Sequence, residues 1–204
     1  MYLNATEIRA LRTGLPENVL LVFDCAYAEY ATAADFDCGD DLVHDRDNTV
    51  VIRTFSKVYG LAGMRIGWAH AHADVLRNLV RVQRPGNFSS PGLAAAEAAL
   101  GEPALIAARI ERNAQNRSTF TNALTSLGLD VVPSQANFVL VTLPSESPAD
   151  ADTLRDALAR EGILVRGMAP YGLPESLRIS LGSPDDMVEV AQAIEHILKT
   201  PKDA

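Results

Sequence analysis

The sequence has little of what several classes of protein require. It contains two cysteines, Cys25 and Cys38, which form no C-x-x-C pair, and its histidines are scattered, so neither a disulfide framework nor a metal site has support. We expect both thiols to be free and largely unreactive. The net charge is −8 and no run rich in lysine or arginine interrupts it, which argues against nucleic-acid binding. The longest apolar run, Val19–Phe23, is far too short to cross a bilayer.

The start of the chain and its overall composition favour an ordinary globular protein. Residues 1–12 have neither the basic start nor the apolar centre of a signal peptide, so a cytoplasmic protein is expected. Hydrophobic residues make up 48% of the sequence and charged residues 22%, which is typical of a chain that folds around a core. The length of 204 residues suits one large domain or two small ones.

The hydrophobic pattern alternates between helices and strands, which indicates an α/β fold. A helix is predicted over 4–14, with Asn4 and Glu7 forming a capping box. Val19–Phe23 and Thr49–Thr54 are largely apolar and are predicted as strands buried on both faces. The remaining elements follow the same patterns: strands near 66–70, 129–132, 138–142, 163–166 and 177–181, and helices at 90–100, 103–127, 150–161 and 183–198, with one more capped by Asp74. The pattern divides into two parts, residues 1–102 and residues 103–204, the second beginning with the long helix.

The most informative segment is Thr54–Gly67, which places Lys57 just after a predicted strand and Arg65 eight residues later. A lysine between an apolar strand and the glycines Gly60 and Gly63 can stay uncharged, and an uncharged lysine forms a Schiff base with an aldehyde. An arginine holds a phosphate through its planar fork of donors. The glycine spacing matches neither a dinucleotide-binding loop nor a Walker A loop.

This segment resembles the cofactor-lysine segment of the pyridoxal-phosphate (PLP) aminotransferases of the aspartate-aminotransferase fold, in particular the branch that contains histidinol-phosphate aminotransferase. The Asp24–Tyr27 block precedes it in the order that the family has, with Cys25 as its one departure. Because neighbours on a strand end point to opposite sides, Cys25 should face away from the cofactor. The resemblance implies an α/β PLP-transferase type I fold and a transamination that moves an amino group between an amino donor and 2-oxoglutarate.

By the same resemblance, Lys57 is the catalytic lysine, which holds the cofactor and moves a proton at the α-carbon of the substrate. Asp24 would keep the pyridine nitrogen protonated, and Tyr27 would contact the phenolic oxygen. The implied cofactor-binding residues are Asp24, Tyr27, Thr54, Ser56, Lys57 and Arg65. Of these, the two hydroxyl groups and Arg65 would hold the phosphate.

Two later segments resemble the anion site of the family. Arg178 is implied to grip the acidic group of the substrate, and Arg166 to assist when that group is a phosphate. Asn137 also matches a substrate-binding position. The Tyr171–Pro174 sequence favours histidinol phosphate and imidazole-acetol phosphate as the specific pair, which belongs to histidine biosynthesis. The alternatives are an aromatic amino-acid aminotransferase and an amino-acid phosphate decarboxylase.

Members of the family carry most of the cofactor domain ahead of the Asp-x-Ala-Tyr block, including an aromatic residue that stacks on the pyridine. We therefore expect this sequence to be the carboxyl-terminal part of such an enzyme, with part of the large-domain sheet and a complete small domain. Exposed apolar surface should make it associate, as a homo-oligomer such as a dimer or through the truncated face. PLP retention should be weak or absent. The alternative from another class is a non-catalytic fragment or assembly module.

Overall fold

A computed structural model of the protein describes residues 2–45 and 47–200, in which helices and strands alternate. The predicted α/β class is confirmed. The chain forms two compact units, Tyr2–Ile110 and the residues from Glu111 onward. The division falls within the helix Pro103–Ser126, and the domain boundary predicted between 102 and 103 stays a prediction. No helix of the described ranges is long and apolar enough to cross a membrane.

The first unit combines helices with a three-stranded sheet. Its elements are α1 (Ala5–Gly14), β1 (Leu21–Asp24), α2 (Asp40–Asp45), β2 (Thr49–Thr54), β3 (Gly67–Ala71), α3 (Ala73–Val82), α4 (Ser90–Leu100) and the start of α5 (Pro103–Ser126). The capping box of α1 is confirmed, because Asn4 accepts the Glu7 N–H and the Glu7 carboxylate accepts the Asn4 N–H. Central strand β2 is parallel to β1 and antiparallel to β3. The carboxyl ends of β1 and β2 therefore meet at one edge of the sheet, beside Asp24 and Thr54.

The prediction that the first strand is buried on both faces is wrong. Strand β1 starts two residues later than predicted, at Leu21, and its burial alternates, with Val22 48% exposed. The reason is its place in the sheet: β1 is an edge strand, and within the described residues no element covers the face that carries Val22. Strand β2 has the predicted bounds, and its first three residues are buried, with helix α2 packed against this strand.

Gly67 is needed where β3 begins, because a β-carbon there would lie 2.5 Å from the Arg53 carbonyl oxygen of β2. We expect Gly67→Ala to lower the free energy of unfolding of the first unit by about 1–3 kcal/mol, the usual cost of overpacking. Gly63→Ala is the matched control, since a β-carbon at Gly63 meets open space. Urea unfolding followed by the fluorescence of Trp68, the single tryptophan, measures both variants. Equal stability of the two would contradict the close approach.

The second unit is a four-stranded antiparallel sheet packed against helices. Its elements are the rest of α5, β4 (Asp130–Val132), β5 (Phe138–Thr142), α6 (Ala151–Arg160), β6 (Arg166–Gly167), β7 (Ser176–Ser180) and α7 (Pro184–Lys199). The strand order is β4-β5-β7-β6. One face of the sheet is buried in the core through Val139, Val141, Leu177 and Ile179. Because side chains alternate along a strand, the opposite face carries Phe138, Leu140 and Arg178.

Two further predictions of local structure are wrong. Helix α3 is capped by His72, whose ring nitrogen accepts the Asp74 N–H, and not by Asp74 itself. The strand predicted at 163–166 is shorter and later, because only Arg166 and Gly167 pair with β7, and Leu164 before them is 87% exposed. The first error is local, because histidine is not among the residues preferred at a helix N-cap, whereas the second depends on pairing with a strand further along the chain.

Candidate active site

Lys57 lies in a tight turn that follows β2 and is held by buried neighbours on both sides. Phe55 and Val58 are buried, and the Arg109 guanidinium donates to the Val58 carbonyl at 3.0 Å. The Gly60 N–H donates to the Lys57 carbonyl at 2.9 Å, which closes the turn. With its flanking residues anchored in this way, the turn presents a half-buried Lys57 side chain in a fixed place.

The amine of Lys57 has no polar partner among the described residues. Its Nζ lies 5.0 Å from the centre of the Tyr27 ring and makes neither a hydrogen bond nor an ion pair with the described part of the chain. Lys57 follows the carboxyl end of β2, where open α/β sheets place their ligands, so its unpaired amine is the feature most suggestive of chemistry. The structure thus brings together two of the predicted site residues, Lys57 and Tyr27.

Asp24 and Cys25 end β1 on opposite sides. The exposed Asp24 carboxylate accepts the Ala26 N–H at 3.2 Å and is aligned with Ile52 in the parallel register, on the same face as Thr54. The Cys25 thiol instead donates to the Cys38 carbonyl at 3.4 Å. The alternation predicted for this strand end is therefore what the structure has, with Asp24 on the face of the candidate site.

Three candidate phosphate donors surround the same turn. Thr54 Oγ1 accepts the Ser56 N–H at 3.0 Å and lies 2.8 Å from Ser56 Oγ, so the two hydroxyl groups form one polar patch. The backbone beside Arg65 reaches this patch, because the Ile66 carbonyl accepts the Phe55 N–H at 3.1 Å. The Arg65 side chain is exposed and donates a hydrogen bond to the Ala62 carbonyl at 2.9 Å. Within the described residues, it makes no hydrogen bond to the hydroxyl group of Thr54 or of Ser56.

Arg65 has an unusual backbone. Its φ of 56° and ψ of 47° are left-handed, and among residues 2–45 and 47–200 it is the one non-glycine residue with a positive φ. A side-chain-bearing residue in this region is strained by about 1–3 kcal/mol, and such strain concentrates at functional sites. The backbone thus supports the choice of Arg65 on grounds that the sequence motif did not supply.

A charged cluster that the sequence did not predict lies on the opposite face of the sheet. Arg53 donates to Asp40 at 2.8 Å, to the Cys38 sulfur at 2.7 Å and to Glu29 at 3.3 Å. The one signal for it is an arginine inside an otherwise apolar strand. Burial raises the pKa of the Cys25 thiol to about 12, and burial also raises the pKa of Cys38. Both cysteines are free, and the cluster is structural, because these thiols stay protonated at neutral pH.

The two predicted substrate arginines are direct neighbours on the open face of the second sheet. Arg166 of β6 is paired with Arg178 of β7 in the antiparallel register. Like charges opposite each other destabilise a sheet unless an anion lies between them. The Arg178 guanidinium stacks over the Phe138 ring at 5.0 Å, and its buried Nε has no hydrogen-bond partner in the part of the chain that the structure describes. Arg166 donates to the Tyr171 hydroxyl at 2.7 Å.

Asn137, the third predicted substrate residue, belongs to the same unit as these arginines. Its backbone carbonyl accepts the Leu181 N–H at 2.9 Å. Within the described ranges, its side-chain amide makes no hydrogen bond, so the amide is available to a ligand. The structure thus brings the two guanidinium groups together on one face, where they suit a phosphate or carboxylate, and places Asn137 in the loop before β5.

Comparison with known proteins finds similarity to aminotransferases along nearly the whole chain. A family model described as Aminotransferase class I and II matches residues 1–194. The histidinol-phosphate aminotransferase of Rhodospirillum centenum is 46% identical over 198 residues, which are 97% of this chain and 54% of that protein. The crystal structure of histidinol-phosphate aminotransferase from Sinorhizobium meliloti in complex with pyridoxal-5'-phosphate is 31% identical, with a TM-score of 0.87 over 97% of this chain and 54% of that chain.

A related enzyme of different chemistry is also similar. The crystal structure of L-threonine-O-3-phosphate decarboxylase from Porphyromonas gingivalis has a TM-score of 0.82 at 27% identity, over 97% of this chain and 60% of that chain. The chain spans about half the length of the curated relatives it matches.

Proposed function

Because the chain belongs to the aminotransferase class I and II family, we propose that it takes part in PLP-dependent transamination, with histidinol phosphate as amino donor and 2-oxoglutarate as acceptor. The observation that carries this proposal is the unpaired, half-buried amine of Lys57 beside Tyr27. The names of similar proteins support the substrate pair, since relatives at 46% and 41% identity are histidinol-phosphate aminotransferases.

The donor chemistry of the first unit fits PLP, which combines an aldehyde, a phosphate and a ring nitrogen. The Lys57 amine suits the aldehyde, and Asp24 suits a protonated ring nitrogen. Tyr27 lies against Lys57, where its hydroxyl can serve the phenolic oxygen. The hydroxyl patch of Thr54 and Ser56, together with the Arg65 guanidinium, suits the phosphate.

The role of each residue follows from this fit. When bound, the cofactor supplies an electron sink for the α-carbon of the amino acid. Lys57 moves the proton at that carbon, because its Nζ has no competing partner in the described chain. Asp24 holds positive charge at the ring nitrogen, and the buried Phe55 and Val58 keep the Lys57 turn in place.

The face of Arg166 and Arg178 supports a substrate that carries a phosphate. Two adjacent guanidinium groups provide more positive charge than one carboxylate needs, and the Nε of Arg178 is a donor still without a partner in the described chain. An aromatic substrate would need an apolar pocket instead, and both arginines on this face argue against it. A phosphate-bearing amino acid is also what the decarboxylase named above acts on, so reaction type and substrate must be tested separately.

The test is an assay of glutamate formation from 2-oxoglutarate, with histidinol phosphate or phenylalanine as donor. We expect histidinol phosphate to be preferred, and Arg178→Ala to raise its KM about 10-fold or more, because hydrogen bonds to a charged group are lost. Arg160→Ala, which removes an exposed arginine at the end of α6, is the charge-matched control. A preference for phenylalanine would favour an aromatic aminotransferase, and release of carbon dioxide without glutamate would favour a decarboxylase.

One observation favours the second candidate, a non-catalytic assembly module. Helix α3 buries none of its residues, and Leu79, Val80 and Val82 are 44%, 66% and 80% exposed. Such an apolar helix face is a common site of association between copies of a chain. A chain that carries PLP on Lys57 would decide against this candidate.

A further inference from the structure

Two polar side chains on α5, Asn113 and Arg117, are buried although neither belongs to the candidate site. Asn113 and Arg117 are each 8% exposed. Arg117 makes no ion pair with any described residue, and burial lowers the pKa of its guanidinium. Burying a cationic group without a carboxylate is costly, so the acceptor of its hydrogen bond shows what the burial holds in place.

Both side chains donate to a single atom. Asn113 Nδ2 lies 3.2 Å, and Arg117 Nη1 3.1 Å, from the carbonyl oxygen of Ala136. Two side-chain donors on one loop carbonyl fix that peptide in both position and orientation. The next residue in the chain is Asn137, and the one after it is Phe138.

The rest of this loop is held just as firmly. Ser134 Oγ accepts the Ala136 N–H at 3.1 Å and donates to the Phe138 carbonyl at 2.6 Å. The Asn137 carbonyl accepts the Leu181 N–H at 2.9 Å. Every one of these bonds uses backbone groups, which leaves the amide of Asn137 free and the ring of Phe138 in place under the Arg178 guanidinium.

We propose that Asn113 and Arg117 are positioning residues for the anion-binding face: by holding the Ala136 carbonyl, they set the Asn137 amide and the Phe138 ring on which Arg178 stacks. The inference rests on the proposed function in one respect, namely that the face of Arg166 and Arg178 binds a phosphate. Neither residue touches the substrate; each acts through the loop 134–138, from the buried side of the sheet.

The experiment is a titration of the full chain with inorganic phosphate, followed by the NMR signal of the Arg178 Nε–H. We expect Asn113→Leu and Arg117→Met each to weaken phosphate binding by about tenfold, because a displaced loop shifts Phe138 and Arg178 enough to cost the phosphate about one hydrogen bond to a guanidinium. Arg117→Lys, which keeps a charged donor, is expected to bind more tightly than Arg117→Met. If Arg117→Met does not fold, Asn113→Leu carries the same expectation, since it removes no charge.

Asn116→Leu is the matched control. Asn116 lies on the same helix and is 9% exposed, but it donates at 2.9 Å to the carbonyl of Gly182, outside the loop 134–138. We expect this variant to lose comparable stability and to bind phosphate like the wild type. Equal affinities of Asn113→Leu and Asn116→Leu for phosphate would overturn the positioning role.

A wild-type chain that does not bind phosphate would instead refute the proposed anion site. The Arg178 Nε–H signal of the ligand-free protein would still decide the further inference. That signal is expected to move in Asn113→Leu and to stay in place in Asn116→Leu. A signal that does not move in Asn113→Leu would contradict the positioning role, whatever the phosphate result.

Discussion

Lys57→Ala is expected to abolish covalent trapping of PLP on the chain and to lower any transamination rate by roughly 10²–10⁴-fold, the usual contribution of a positioned acid–base group. Lys57 is the only lysine of the first unit; the sequence has two others, Lys199 and Lys202, near its carboxyl end. The Lys57 amine is half-buried and has no polar partner in the described residues. An amine that no other side chain holds is available to react with an aldehyde.

The measurement is reduction with borohydride in the presence of excess PLP, followed by peptide mass spectrometry. Excess cofactor makes the test independent of whether retention is weak or strong. Lys199→Ala is the matched control, because Lys199 is exposed and ion-paired with Glu195 on α7. We expect label at Lys57 in the wild type and in Lys199→Ala. Label spread evenly over the three lysines would show that Lys57 has no special reactivity and would favour the assembly module.

Much of the fold could be predicted from local patterns. Strand β2 has the predicted bounds because its apolar run is flanked by threonines, and α1 begins where Asn4 and Glu7 form a capping box. The exposure of Val22 could not be predicted in this way. Burial of a strand depends on which elements lie over it, and that is settled by the tertiary arrangement rather than by the apolar run itself.

The candidate site divides along the same line. The order of the motifs identified Lys57 and its neighbours, because residue type and spacing are written in the sequence. The alignment of Arg166 with Arg178 needed the register of β6 and β7, which is set by hydrogen bonds between segments far apart in the chain. The left-handed backbone of Arg65 could not be predicted either, since glycine is the residue type that adopts a positive φ readily.

Arg12 is expected to be the residue of the first unit whose loss costs most stability. It is 4% exposed, and no carboxylate of the described chain pairs with it. Its guanidinium donates instead to carbonyl oxygens at distances of 3.1 to 3.4 Å, those of Leu15, Pro16, Val19 and Asn48. The Asn48 carbonyl also accepts the N–H of Leu21, the first residue of β1. Arg12 thus joins the end of α1 to the start of the strand that ends at Asp24.

We expect Arg12→Met to lower the free energy of unfolding of the first unit by about 3 kcal/mol or more, because the guanidinium donates four hydrogen bonds and each bond from a charged group contributes roughly 1.5–3 kcal/mol. Arg9→Met removes the same charge from the same helix, but Arg9 is exposed and its ion pairs with Asp37 and Asp41, at 3.4 and 3.7 Å, are worth at most about 1 kcal/mol. Urea unfolding monitored by Trp68 fluorescence compares the two variants. Similar losses would mean that Arg12 acts through its charge, whereas a loss confined to Arg12→Met would show that its hydrogen bonds hold β1, and with it Asp24, in place.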